Sequence, residues 1–277
     1  MLTSSKQLIL EAQKGGYAIG SFNTSNLEIT KAIIAAAEKL KSPVIIGTSE
    51  KAIAYAGLDQ IAAIIRAEAE KASVPVAIHL DHGKTLDMVL KCLNAGYTSV
   101  MYDGSHLSYE ENKILTRQAV SMAHRANVPC EGELGAVGRS TDKIKQLTNP
   151  VEAIEFLKET KVDFLAISIG SGHGVGGNEN LDIDLLKKIR RKINVPLVLH
   201  GGSGVPEKDI RLAIKNGICK INIDTDIRQC FIASVNEITK HKNPPDDPRD
   251  LMIEVMLDVQ KIIEDKINLF GSAGKVK

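Results

Sequence analysis

Apolar positions along the chain change period again and again. Short β-branched runs, in which side chains would alternate between two faces, are followed by longer stretches with apolar residues three and four apart. The runs predict eight strands: Ala18–Asn23, Val44–Ser49, Val76–Asp81, Ser99–Asp103, Pro129–Leu134, Phe164–Ser168, Pro196–Gly201 and Lys220–Asp224. Leu27–Leu40, Leu58–Ala72 and Leu86–Ala95 read as helices between them, and Asp250–Leu269 as a terminal helix. Lys41-Ser-Pro43, Ser73-Val-Pro75, Asn127-Val-Pro129 and Asn194-Val-Pro196 recur just before strands. Proline stops a helix and opens the next strand, so the recurrence marks repeated αβ units and a parallel sheet. Eight units predict a closed (β/α)8 barrel, one domain over 1–277 with an extra C-terminal helix. An open doubly wound sheet is the alternative. The irregular stretches Gly135–Asn149 and Gly170–Asn180 each follow a strand and are candidate active-site loops.

Composition narrows the class of partner. The chain has 277 residues, 43% hydrophobic and 25% charged, with 35 basic against 34 acidic side chains. That balance exerts no global pull on nucleic acid or an anionic membrane, so any anion site must be local. Tryptophan is absent and aromatics are 4%, which leaves no base-stacking surface. No segment approaches the ~20 apolar residues of a membrane span, and Met1–Gln7 lacks the start of a signal peptide. Cys92, Cys130, Cys219 and Cys230 are scattered, which fits thiols in a reducing cytoplasm rather than a disulfide framework.

Chemistry concentrates where the predicted strands end, which is the active face of a parallel barrel. The endings carry Asn23, Ser49, Asp81-His82, Asp103, Glu131 and Glu133, His200, and Asn222 with Asp224; His173 follows Ser168-Ile-Gly. Three histidines on three strand ends, His82, His173 and His200, beside an open position match a catalytic zinc site. Asp81 either moves a substrate proton or orients its neighbouring histidine. Asp103 and Glu133 could hold a second divalent ion, bond to the ligands, or form a plain ion pair. His79 could stand behind the ligands, and His106 is the most deceptive competitor. Gly201-Gly-Ser203-Gly and the turn through Asn222-Ile-Asp224-Thr225 follow the last two strands, where barrels cradle phosphate with backbone N–H groups. Arg228, one turn further, could grip a second phosphate as a planar fork.

The ordered motifs Ala18-Ile-Gly-Ser-Phe-Asn23, His79-Leu-Asp-His-Gly83, Asp103-Gly-Ser-His106, Glu133-Leu-Gly135, Gly172-His-Gly174, Leu199-His-Gly-Gly-Ser-Gly204, Asn222-Ile-Asp-Thr-Asp226 and Gly271-Ser-Ala-Gly-Lys275 resemble the class II fructose-bisphosphate aldolase family. The resemblance covers about Tyr17 to Lys275. It implies Zn2+ on His82, His173 and His200, proton exchange by Asp81 with the C4 hydroxyl, and an alternative metal position at Asp103 and Glu133. Gly174, Gly201, Ser203 and Asn222 through Thr225 would bind dihydroxyacetone phosphate, with a monovalent cation (Na+ or K+) near its phosphate, and the strand-end residues Asn23 and Ser49 are further candidate substrate contacts. The Asn222–Arg228 string is similar to the fructose-bisphosphate branch rather than the tagatose branch. The implied reaction is reversible cleavage of fructose 1,6-bisphosphate to dihydroxyacetone phosphate and glyceraldehyde 3-phosphate, by a cytoplasmic homodimer or homotetramer. Where the family has Gly-Gly-x-Glu-Asp, this chain reads Gly138-Arg-Ser-Thr-Asp142, leaving Asp142 as the loop carboxylate for the carbon acid/base. The family's tyrosine-lysine segment after His173 is also replaced, by Gly174-Val-Gly-Gly-Asn-Glu-Asn180. A metal-dependent hydrolase and a non-catalytic binding protein are the rival readings. Triose phosphate release separates both from an aldolase.

Overall fold

The computed structural model describes residues 1–136, 138, 146–172 and 180–276. Its strands are β1 (Ile19–Asn23), β2 (Val44–Ser49), β3 (Val76–Gly83), β4 (Ser99–Tyr102), β5 (Cys130–Leu134), β6 (Phe164–Ile167), β7 (Leu197–Leu199) and β8 (Ile218–Ile223). Each pairs in parallel with the next, and β8 closes on β1, so the expected barrel forms rather than an open sheet. Helix α1 (Ser5–Gly15) precedes β1, and α2 (Leu27–Lys39), α3 (Glu50–Ala56) with α4 (Leu58–Lys71), and α5 (Leu86–Asn94) fill the first three crossovers. The others hold α6 (Tyr109–Arg125), α7 (Pro150–Thr160), α8 (Ile183–Arg190) and α9 (Glu207–Lys215), before α10 (Thr225–Ile238) and the terminal α11 (Pro248–Phe270).

The prolines act as the sequence suggests, with one addition. Lys41, Asn127 and Lys161 leave their helices with φ of 47°, 57° and 59°. A left-handed residue turns each chain off its helix, and at Lys41 and Asn127 the proline two residues later begins the extended run.

Strand alternation divides the core in two. Val44, Ile46, Val76, Ile78, Leu197 and Leu199 pack in the large cluster that includes the helices. Ile45, Ala77 and Val198, one residue out of phase, pack instead with Leu8, Ile9 and Ala12 of α1. The period of two therefore sends one set outward and the other into the barrel interior, where α1 seals the amino-terminal end. The same parity carries the inward set upward to Ser49, Asp81 and His200 at the opposite rim.

Candidate active site

That rim encloses a cavity of about 840 Å³. Its floor is polar because the inward parity of β1, β3, β7 and β8 ends on Asn23, Asp81, His200 and Asn222. Asp81 and His82 are consecutive, yet both line the cavity. A regular strand would send them to opposite faces. The register with β4 shifts between Leu80 and Gly83, and His82 has φ of 52°. This bulge with a left-handed, non-glycine residue turns His82 inward, a strained conformation of the kind that collects at functional sites.

Glycines make room for the donors. A Cβ on Gly47 would lie 2.3 Å from Asn23 Oδ1, so a larger residue on β2 would have to displace that amide. Gly201 has φ of 63°, and a Cβ there would lie 2.4 Å from the Gly172 carbonyl oxygen, so the loops after β6 and β7 meet only through glycine.

The carboxylates are fixed by amides and imidazoles. Asn23 Nδ2 donates to Asp81 Oδ2 at 2.7 Å, and Asn222 Nδ2 donates to Asp81 Oδ1 at 2.8 Å. The amide oxygens Asn23 Oδ1 and Asn222 Oδ1 remain buried with no hydrogen-bond partner among the described residues. Burial alone would raise the Asp81 pKa, but His82, His200 and Lys220 outweigh it and bring it to about 2. Asp81 is therefore a carboxylate at neutral pH.

His82 Nδ1 lies 2.7 Å from Asp103 Oδ2 and 3.6 Å from Glu133 Oε2. His82 Nε2 lies 2.8 Å from His200 Nδ1, and His200 Nε2 lies 2.8 Å from Glu131 Oε1. A carboxylate can only accept, so Nδ1 of His82 and Nε2 of His200 carry protons. Two imidazole lone pairs would then face each other at 2.8 Å, which requires a positive centre between them. Burial opposes charge on His82, but Asp81, Asp103 and Glu133 overcome it and raise its pKa to about 10. Either a proton or a metal ion can serve as that centre. The donors Asp81, His82 and His200, and separately His82, Asp103 and Glu133, are also close enough to share a metal ion. A site that concentrates positive charge between imidazoles walled by carboxylates fits a divalent cation.

A family model, "Fructose-bisphosphate aldolase class-II", matches residues 3–275. The chain belongs to the class II fructose-bisphosphate aldolase family. Members of this family are metal-dependent lyases that act on phosphorylated sugars. A fructose-bisphosphate aldolase of Helicobacter pylori is 38% identical, each chain covering 100% of the other. A sulfofructosephosphate aldolase of Alkalicoccus urumqiensis is 37% identical, with 99% of this chain and 98% of that one covered. The crystal structure of the YdjI aldolase from Escherichia coli K12 superimposes with a TM-score of 0.91 at 36% identity, over 100% of both chains.

Every expected substrate contact among the described residues lines the cavity, as do Asp81, His82, Asp103 and His200. Glu133 is buried behind His82 and does not line it. His173, Gly174, Thr141 and Asp142 lie outside the described residues. His106 is exposed and belongs to neither donor group. Glu131 was expected at the rim with Glu133; it is instead fully buried one layer deeper, bonded to Lys220 and His200. Arg228 donates to Asp224 Oδ2 at 2.9 Å, so part of its charge is already shared.

Sequence reasoning missed Lys51, Lys84 and Gln229, all lining the cavity. The available signal was position, since Lys51 and Lys84 follow the ends of β2 and β3. Exposed lysines are common enough to hide it. Lys220 was also missed, although a lysine inside a predicted barrel strand is itself anomalous.

Proposed function

We propose that this aldolase cleaves the C3–C4 bond of fructose 1,6-bisphosphate, reversibly giving dihydroxyacetone phosphate and glyceraldehyde 3-phosphate, with zinc as its metal. The observation that carries this reading is the pair of imidazole nitrogens 2.8 Å apart beside a carboxylate clamped by two amides. His82, His200 and His173 would hold the ion, while Asp103 and Glu133 would offer a second divalent position. When bound, the ion supplies Lewis acidity that stabilises charge developing on the ketone oxygen. Asp81 accepts the C4 hydroxyl proton as the C3–C4 bond breaks and C4 becomes the aldehyde carbon. The electron pair left at C3 takes a proton from an acid, which we assign to Asp142. Asn23 and Asn222 hold Asp81 in place and turn their carbonyl oxygens toward substrate hydroxyls.

Gly174, Gly201, Ser203, Asn222 and Thr225 would bind the phosphate next to the metal, with a monovalent cation beside it. The N-terminus of α10, which has no side-chain cap from Asp224, faces the same place, and its Asp226 N–H already meets Ser203 Oγ at 3.2 Å. Asp224 would contact the same dihydroxyacetone phosphate half, while Ser49 and Arg228 would take the far end, Arg228 meeting the second phosphate. The relative named for sulfofructosephosphate makes a sulfonate at that end the alternative, and tagatose 1,6-bisphosphate is the alternative at C4. A homodimer or homotetramer in the cytoplasm completes the reading. The four free thiols suit that compartment. A coupled assay for triose phosphate release, run on fructose and tagatose 1,6-bisphosphates, sulfofructose 1-phosphate and ketose 1-phosphates, tests the assignment. Fructose 1,6-bisphosphate should give the highest kcat/KM. Release of inorganic phosphate without triose would contradict it.

A further inference from the structure

Beneath the cavity, sealed from it, lies an acid–base cluster with no part in the chemistry above. Glu131 and Lys220 are fully buried. Glu131 Oε1 lies 2.8 Å from His200 Nε2, and Glu131 Oε2 accepts from Lys220 Nζ at 2.8 Å. Lys220 Nζ also reaches His79 Nε2 at 3.2 Å, and His79 Nδ1 lies 2.8 Å from Ser99 Oγ, to which Ser5 Oγ donates at 2.7 Å. An ammonium can only donate, so His79 Nε2 accepts and its proton sits on Nδ1, facing Ser99. Donors and acceptors are matched from α1 to His200: Ser99 and Glu131 each accept from both sides, and Lys220 donates to both of its neighbours.

We propose that Glu131 is a positioning residue that sets the tautomer of His200, with Lys220 holding Glu131 in place. Each carboxylate oxygen takes one donor, Lys220 on one side and His200 on the other. His200 therefore keeps its proton on Nε2 and turns the Nδ1 lone pair to the cavity. The opposite tautomer would aim an N–H at the position a metal must occupy. The inference rests on the metal role of His200 proposed above.

Glutamine at this position separates tautomer control from simple packing. Its side chain has the shape of glutamate but one acceptor oxygen in place of two. In Glu131→Gln the ammonium of Lys220 takes that oxygen, and the amide NH2 is left facing His200 Nε2. His200 then moves its proton to Nδ1. Adding Lys220→Met removes the competing donor, so the amide can rotate and accept from His200 Nε2 again.

The experiment combines 15N NMR of histidine-labelled, metal-free protein with zinc affinity by chelator competition. The parent should show the Nε2–H form at His200. Glu131→Gln should show Nδ1–H and bind zinc about 10–100-fold more weakly, the usual effect of losing such a partner. Glu131→Gln/Lys220→Met should recover the Nε2–H form and most of the affinity, which loss of packing alone would not allow. Parent-like zinc affinity in Glu131→Gln, or an unchanged His200 tautomer, overturns the proposal. If Glu131→Gln does not fold, an Nδ1–H signal at His200 in the parent overturns it just as well, and Nε2–H supports it. Failure of the parent to bind zinc would sink the metal reading instead, and the tautomer spectra would still judge Glu131.

Discussion

The two ends of the barrel use similar side chains to opposite effect. At the amino-terminal end, Asp163 receives Lys6 Nζ at 2.7 Å, the Cys130 N–H at 2.9 Å and His124 Nε2 at 2.8 Å. In the interior just above it, His79 has a partner at each ring nitrogen. At the carboxyl-terminal end, buried amide oxygens of Asn23 and Asn222 stay unmatched among the described residues, and His82 sits among three carboxylates. Buried polar groups cost free energy unless paired. The lower end is closed polar structure and adds stability, whereas the upper end is left open for a cation and a polar substrate.

Breaking the upper end should cost turnover, with little effect on folding. The largest loss is expected for His82→Ala or His200→Ala, which should release the metal and drop triose production to background. Metal content and turnover on the same sample check this, and full occupancy with full activity would refute the ligand assignment. Asp81→Asn should come next, slowing kcat by ~10²–10⁴-fold as a lost proton acceptor while leaving zinc bound. Arg228→Ala should be milder. It should lower kcat/KM for bisphosphates about tenfold or more relative to monophosphates, the cost of one charge-assisted bond. Equal losses for both substrates would remove Arg228 from the far subsite.

The smallest effect on activity is expected at the lower end. Asp163→Asn should leave kcat near the parent value and reduce stability at neutral pH by about 1–3 kcal/mol. Burial favours the neutral form of Asp163, but bonds from Lys6, Cys130 and His124 outweigh it and hold its pKa below the usual carboxylate range. Its contribution is therefore present above the unfolded-state pKa and lost as pH falls through the lower folded value. Thermal melts of parent and variant should converge in acid and separate toward neutral pH. A stability gap that persists unchanged in acid, or a large fall in kcat, would erase the distinction between the two ends.

Much of this was legible in the sequence because strand parity and barrel geometry are tightly linked. Once Val76–Asp81 reads as a strand in a barrel, Asp81 must end at the upper rim, and Asn23, Ser49 and Asn222 follow by the same logic. The bulge at His82 was not legible, since nothing in the residue type announces a left-handed histidine. Glu131 and Glu133 share a parity and look alike in sequence; only depth separates a residue behind His82 from one beneath His200. Lys220 escaped because its pairing with Glu131 spans 89 residues. Asp142 lies outside the described residues, so its role rests on resemblance and on the C3 proton exchange that Asp142→Asn should slow.

If the open rim is a metal-dependent aldol site, turnover must follow bound metal. Protein stripped by a chelator should be titrated with zinc while triose phosphate release from fructose 1,6-bisphosphate is followed. Turnover should rise in proportion to bound zinc and saturate near about one ion per chain, as for a single catalytic centre with one open position. Triose release that is undiminished in the stripped protein, or zinc bound to saturation with no triose released, would contradict the account.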